Sequence, residues 1–408
     1  MNATGSPLSD IVVVDLSRAL AGPHAAMMLG DLGARVVKVE TPGAGDDTRR
    51  WGPPFVRPSP AGYEVIRRFE SDAESTYFLS TNRNKESIAL DLKSDDDRAV
   101  LLDLIDRADV LVENFRTGVL ERLGLGLSSL LERNHRLVAL SITGFGHDGP
   151  DGGRPGYDQI VQGEGGLMSL TGSGPDDPQR VGVPVADLLA GMWGVAGVLA
   201  ALHARGATGC GRIVRTSLLA GVVGVHSFQG TRLTIAGEEA HASGNHHSSI
   251  SPYGLFRCKD GAVQLALGSE ALWHRFCAEF GIDPATEGMA SNPERAANRA
   301  AVTALVESVF GAWNAEPLLE RLAAIGVPAG RIRSLREVYD WEQTHSQGLI
   351  IEVDHPTLGR LRLPGPPVRF FAADGSEEQP RTHIAPPVLD QHGQDLRAWL
   401  SRTEPAPR

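Results

Sequence analysis

The sequence predicts an α/β protein, with a doubly wound parallel sheet in its N-terminal part and a smaller α+β domain after it. Two observations carry this reading. Between residues 11 and 142, short β-branched apolar runs alternate with segments of helical period, the pattern of a parallel sheet covered on both faces. The 47 glycines and 26 prolines of the 408-residue chain exceed what a helical bundle accommodates and require many turns.

Taken in order, residues 11–16 (IVVVDL) read as a buried parallel strand, 22–32 as a helix closed by Gly33, and 35–40 (RVVKVE) as the returning strand. A second β–α–β unit follows: a strand at 87–92, a helix near 98–108 and a strand at 109–114. Short helices around 120–123 and 128–132 lead into a strand at 137–142 (LVALSI). No GxGxxG follows the first strand, so a dinucleotide is not indicated. Residues 148–155 and 172–180 are turn-rich, and 187–204 is the most apolar helix of the chain. Its uncharged run, 188–202, falls short of the ~20 residues that span a bilayer. A polar turn at 205–212 precedes a further apolar helix beginning near Ser217. Beyond a polar loop at 241–251, a strand at 263–267 and helices at 270–280 and 296–313 form the smaller domain. Residues 354–367 read as loop and strand, and the tail TEPAPR as disordered.

Fifty acidic side chains against 39 Lys and Arg give a net charge of −11. Nucleic acid and anionic membrane both need a basic face, so neither is expected as the main partner. The three cysteines, Cys210, Cys258 and Cys277, have no CxxC spacing and supply neither a disulfide framework nor a zinc site. Residues 1–10 lack a basic region followed by an apolar one, so the cytoplasm is the expected compartment.

Three local features offer chemistry. Asp187, in VGVPVADLLAGMWG, precedes an apolar helix; on pattern alone it is an N-cap, and its functional reading is a carboxylate nucleophile or base at a helix N-terminus. Asn82, Arg83, Asn84 and Lys85 place two cations and two amides together just before a strand, either as a solvated turn or as a clamp for a phosphate or an adenine edge. Asn114, Phe115 and Arg116, with Arg122 further on, stand at the carboxyl end of a parallel strand, either as a packed strand end or where open α/β sheets bind ligands. An aromatic ring beside an Arg suits an adenine and its phosphates. His246 and His247 have no partner at metal-ligand spacing, so no metal is assigned, and Tyr157 reads equally as core or pocket.

Together these residues resemble the family III CoA-transferases, the group of formyl-CoA transferase, carnitine CoA-transferase and α-methylacyl-CoA racemase. The similarity runs through VVDLSRALAGPHAAMMLGDLGARVVKVETPGAGDDTR, NRNKESIALDLKS, DVLVENFRTGVLERLGLG, SITGFG, GYDQIVQGEGGLMSLTG and PVADLLAGMWGVAGVLAAL. It continues in ISPYGLFRCKDG, GVPAGRI and DHPTLGRLRLPGPPVR. The resemblance implies that Asp187 is the catalytic carboxylate and that Asn82–Lys85, Asn114, Phe115, Arg116 and Arg122 line a CoA site. Tyr157 stands where the transferases carry Tyr and the racemases carry a His that exchanges protons. Two positions depart from formyl-CoA transferase. Its glycine-rich active-site loop is Asn245-His246-His247-Ser248-Ser249 here, which argues against formate or oxalate, and an Arg that touches CoA is Thr41.

The implied activity is transfer of CoA from an acyl-CoA to a carboxylic acid through a covalent aspartyl intermediate, with no prosthetic group. Acyl-CoA racemase and a non-catalytic acyl-CoA binder are the alternatives. The implied fold is a Rossmann-like large domain from both chain ends, a smaller domain between them, and two ring-shaped subunits interlocked as a homodimer. On this chain that gives a large CoA-binding domain at 1–205, linker helices at 206–240, a small α+β domain at 241–330, and a return through 331–408.

Overall fold

The structure is a computed structural model that describes residues 6–378 and 382–402; the tail expected to be disordered lies outside the described residues. Within it the chain forms two compact units, one from the residues up to Gly166, Val181–Thr231 and those from Glu342 onward, the other from Leu167–Arg180 and Arg232–Trp341.

The first unit is built on six parallel strands: β1 (Val12–Asp15), β2 (Arg35–Glu40), β3 (Lys85–Ala89), β4 (Val110–Glu113), β5 (Val138–Thr143) and β6 (Arg212–Ser217). They lie in the order β3-β2-β1-β4-β5-β6. Connections leave in opposite directions from β1 and β4, so a crevice opens at their carboxyl ends. The central strands are Val-rich because both of their faces are covered; Val13, Val14, Val37, Leu111 and Leu140 are fully buried. The register pairs Val13 with Val110 and Asp15 with Val112, bringing the ends of β1 and β4 level.

Helices α1 (Ala21–Asp31), α2 (Asp95–Arg107), α3 (Asp158–Glu164), α4 (Val185–Thr208) and α5 (Leu218–Gly224) complete this unit with a C-terminal helix, Gly393–Leu400. The C-terminal helix packs on α2 and β3, with Trp399 under the guanidinium groups of Arg35 and Arg107. By length and composition α4 could cross a membrane, but its apolarity has a local cause. One face lies on α1, β5 and β6, and Gly191 and Gly194 allow the approach: a Cβ there would fall 2.8 Å from the carbonyl of Ala21 and 2.9 Å from Leu140. Its other face leaves Met192 and Trp193 exposed.

Several elements differ from the sequence reading. Strand β3 begins at Lys85 rather than 87, because Lys85 already pairs with Val36. Residues 206–240, expected as linker helices, contain edge strand β6, which extends the first unit past 205. Its half-exposed RIVRTS carries no continuous apolar run to signal it. The sequence also gave no sign of the antiparallel strands Phe55–Ser59, Gly62–Ile66 and Glu74–Ser75. Residues 354–367 belong to a hairpin of Ile350–His355 and Gly359–Pro364.

The second unit has three antiparallel strands, β7 (Tyr253–Cys258), β8 (Gly261–Ala266) and β9 (Ala329–Arg331). Helices Glu270–Phe280, Arg299–Phe310 and Ala315–Ala324 pack on them around Phe256, Trp273, Phe276 and Phe310. The helix expected at 296–313 is broken at Asn298, whose side chain turns aside to donate to the carbonyl of Gly288 at 2.9 Å.

Candidate active site

Asp187 lies in the first turn of α4, not at its cap. Pro184 occupies the cap position and has no side-chain acceptor, so the N-cap role comes from outside the helix: Asp158 Oδ1 accepts the N–H of Ala186 at 2.8 Å. The Asp187 carboxylate is half-buried and has no hydrogen-bond or ion-pair partner among the described residues. Burial, and then the charge of Asp158, push its acid up to about 7. The N-terminal field of the helix pulls the other way and does not prevail. Tyr77, on the helix Thr76–Thr81, shares this environment; burial and the charges of Asp187 and Asp158 push its phenol up to about 12. Tyr157 immediately precedes Asp158, but is itself 63% exposed. The geometry therefore brings the Tyr157-Asp158 pair to the start of the Asp187 helix, with Asp158 making the contact.

The segment 82–85 is placed differently from the expectation. Lys85 is buried, and its Nζ donates to Asp15 Oδ2 at 2.9 Å, the carbonyl of Pro23 at 2.8 Å and Asn82 Oδ1 at 2.9 Å, which uses all three donors. Burial lowers its ammonium to about 8 even with Asp15 pulling upward. Arg83 is buried and forks onto Asp31 at 2.9 and 2.5 Å. Asn84 sits at a left-handed φ of 61° and joins Asp31 to the backbone of Ile384. These side chains, expected to line a CoA site, are occupied within the protein. Their local clustering came from a sheet edge that needs its buried charges matched. Asp15 shows the match: burial would raise its carboxyl, but Lys85 and Lys38 hold it below the usual range.

The crevice between β1 and β4 holds the other group. Asn114 Oδ1 accepts the N–H of Arg18 at 2.8 Å and its Nδ2 donates to the Arg18 carbonyl at 2.7 Å. The Arg18 guanidinium lies 5.5 Å from the centre of the Phe115 ring and donates to Thr41 Oγ1 at 3.0 Å. Glu113 Oε2 in turn accepts the N–H of Phe115 at 2.9 Å. Arg116 and Arg122 are exposed, with no side-chain partner among the described residues. The sequence reading missed Arg18 and Asp158. Arg18 was detectable as the first cation after β1, and Asp158 by its spacing of one helical turn from Gln162.

The second unit carries the loop 245–249. It borders a cavity of about 560 Å³ lined by Asn245, His246, His247, Tyr253, Gln264 and Ile332 among others. Gly254 lets the loop lie on β7; at its φ of 158° a Cβ would fall 2.5 Å from the carbonyl of Asn245 and from His246 Nδ1. His247 Nδ1 accepts from the N–H groups of Ser249 and Ile250, both at 3.1 Å, so its proton is on Nε2. Burial and the charge of Arg299 lower both imidazoles, keeping them neutral. No group of His, Cys, Asp and Glu among the described residues is arranged to hold a metal ion.

One family matches the chain over nearly its whole length. Residues 8–393 match the pattern described as CoA-transferase family III. The chain belongs to that family. This CoA-transferase is 37% identical over 388 residues to the succinyl-CoA:glutarate CoA-transferase of Mus musculus, covering 95% of this chain and 84% of that one. It is 38% identical over 350 residues to the succinate–glutarate CoA-transferase of Agrobacterium fabrum, covering 85% of each. Among solved structures, a CAIB/BAIF family protein from Brucella suis superposes with a TM-score of 0.82 at 37% identity, over 97% of this chain and all of that one. The family resemblance and the enzymatic assignment read from the sequence both hold, as does the parallel α/β sheet.

Proposed function

We propose that this CoA-transferase moves CoA from a dicarboxylic acyl-CoA such as succinyl-CoA to a second small dicarboxylate, with Asp187 as covalent acceptor. The observation that carries this reading is the Asp187 carboxylate, free of partners at the start of α4 in a partly dry setting. The substrate class follows from the relatives, whose names couple succinyl-CoA with glutarate and succinate with glutarate.

Ionised Asp187 attacks the thioester carbonyl; the C–S bond breaks, leaving a mixed anhydride and a CoA thiolate. The thiolate attacks the aspartyl carbonyl of the anhydride, releasing the donor acid and forming an aspartyl-CoA thioester. The acceptor carboxylate then attacks that thioester, and the expelled thiolate takes the acceptor's acyl group from the new anhydride. Asp187 returns as a carboxylate. One thioester is exchanged for another, so the overall step is nearly isoenergetic.

In this reading Phe115, Arg116 and Arg122 meet the adenine and phosphates of CoA, with Arg18 as the cation in place of the Arg replaced by Thr41. Asn82–Lys85 instead secure the sheet edge at β3. A second copy of the chain covers the exposed face of α4, where Met192 and Trp193 stand open alongside Val223, Val225 and Phe228. Proton exchange at an α-carbon is less well served, since Tyr77 is held protonated well above neutral pH and Tyr157 replaces the racemase His. Incubating the protein with succinyl-CoA and glutarate, and following both CoA esters by chromatography, tests the reading. Glutaryl-CoA is expected from the wild type and not from Asp187→Asn. Solvent deuterium entering an acyl-CoA without any change of acid would contradict it.

A further inference from the structure

The strap that leads into α4 is held by two side chains of α3. Asp158 Oδ1 accepts the N–H of Ala186 at 2.8 Å, and its Oδ2 accepts from Gln162 Nε2 at 2.8 Å. Gln162 is fully buried; its Oε1 accepts the N–H of Val181 at 2.8 Å and its Nε2 reaches the carbonyl of Val183 at 3.4 Å. Both ends of 181–186 are thus tied to residues one turn apart on one helix, immediately before Asp187. Neither tie is a routine cap, since the cap residue of α4 is a proline.

We propose that Asp158, locked by Gln162, is the positioning residue of Asp187: it fixes the first turn that carries the nucleophile and sets a second negative charge beside it. The inference rests on the reading of Asp187 as nucleophile and adds how the protein prepares it. A carboxylate that is harder to ionise is the stronger nucleophile once ionised, so a neighbouring charge tunes reactivity as well as pH response.

Other groups around Asp187 do not take this role. Tyr77 is protonated at neutral pH, and Asp46 acts on Tyr77 while itself paired with Lys38 at 2.9 Å. From α1, His24 meets α4 at Gly191, one turn further on; burial and then Arg83 and Lys85 lower it to about 4, so it is neutral. Also on α1, Asp31 pairs with Arg83. On α3, Glu164 pairs with Arg154. Helix α5 has no titratable side chain, and β6, with Arg212 and Arg215, meets α4 farther along, at Gly197.

Asp158→Asn retains an acceptor for Ala186 N–H and removes the charge. The acid limb of its kcat/KM profile is expected to move to lower pH, so that activity at pH 6 relative to plateau rises at least about twofold, while the thermal midpoint falls because the new amide nitrogen faces the donor Gln162 Nε2. Gln162→Ala is expected to lower kcat about tenfold at all pH values with the acyl-CoA KM retained, and Asp158→Ala to lower plateau kcat about tenfold while its acid limb moves as in Asp158→Asn. Amide exchange at Ala186, measured without substrate, is expected to accelerate about tenfold in Asp158→Ala. A wild-type acid limb in Asp158→Asn, or unchanged exchange at Ala186, overturns the proposal. The exchange result stands whether or not Asp187 is the nucleophile; loss of that reading shows separately, as activity surviving in Asp187→Asn.

Discussion

The side chain of Asn114 grips Arg18 by its own peptide, accepting its N–H at 2.8 Å and donating to its carbonyl at 2.7 Å. The contact closes the crevice between β1 and β4 and holds the Arg18 guanidinium over Phe115. Two variants probe it. Arg18→Ala is expected to raise the acyl-CoA KM about tenfold, the worth of one charge-assisted contact of about 1.5 kcal/mol, with kcat little changed. Asn114→Ala is expected to reproduce that increase without touching any charge. Steady-state kinetics over a range of acyl-CoA concentrations read both.

Exposed and buried cations are expected to separate cleanly. Arg116→Ala and Arg122→Ala should leave thermal stability unchanged while raising KM and weakening its dependence on salt. Lys85→Met leaves Asp15 buried beside only the more distant Lys38, at 3.9 Å. Its expected cost is about 3–5 kcal/mol in denaturant unfolding. Arg83→Ala is expected to be costly for the same reason, since it strands the buried Asp31.

Asp187 also predicts a stability effect with a definite sign. Its acid is raised from 3.8 to about 7 in the folded protein. Between those values the native state binds more protons than the unfolded one, so this group's contribution is present below pH ~4 and lost as pH rises through ~7. Asp187→Asn never acquires the charge. It is expected to be more stable than the wild type at pH 8 by about 1–3 kcal/mol, with the difference vanishing near pH 4. Paired unfolding curves at the two pH values check this.

Trp193→Asp is expected to leave the fold intact and to disrupt the proposed pairing of two copies, because the exposed face of α4 then carries a charge at its centre. Sedimentation of wild type and variant, alongside circular dichroism, distinguishes a lost partner from a lost fold.

The sheet was legible where burial dictates composition. Strands such as β4 and β5 are covered on both faces and must be largely apolar, and their bounds were nearly right. Edge strand β6 and the ladder at Phe55–Ser75 face solvent on one side and include Arg, Pro and Glu, so no run marked them. At the site, Asp187 was legible as an acid before an apolar helix. Its cap was not, because Asp158 arrives from 29 residues upstream through the tertiary fold. The cations of 82–85 looked like a nucleotide clamp for a related reason: their partners Asp15 and Asp31 lie in other elements, and sequence spacing cannot show that those charges are already matched.

The central claim is that Asp187 becomes covalently acylated. Intact-protein mass spectrometry after brief mixing with succinyl-CoA, trapping with hydroxylamine and peptide mapping tests it directly. The account predicts a hydroxamate at Asp187 that depends on the acyl-CoA and is absent from Asp187→Asn. Turnover of succinyl-CoA and glutarate with no modification at Asp187, or with undiminished rate in Asp187→Asn, would contradict it.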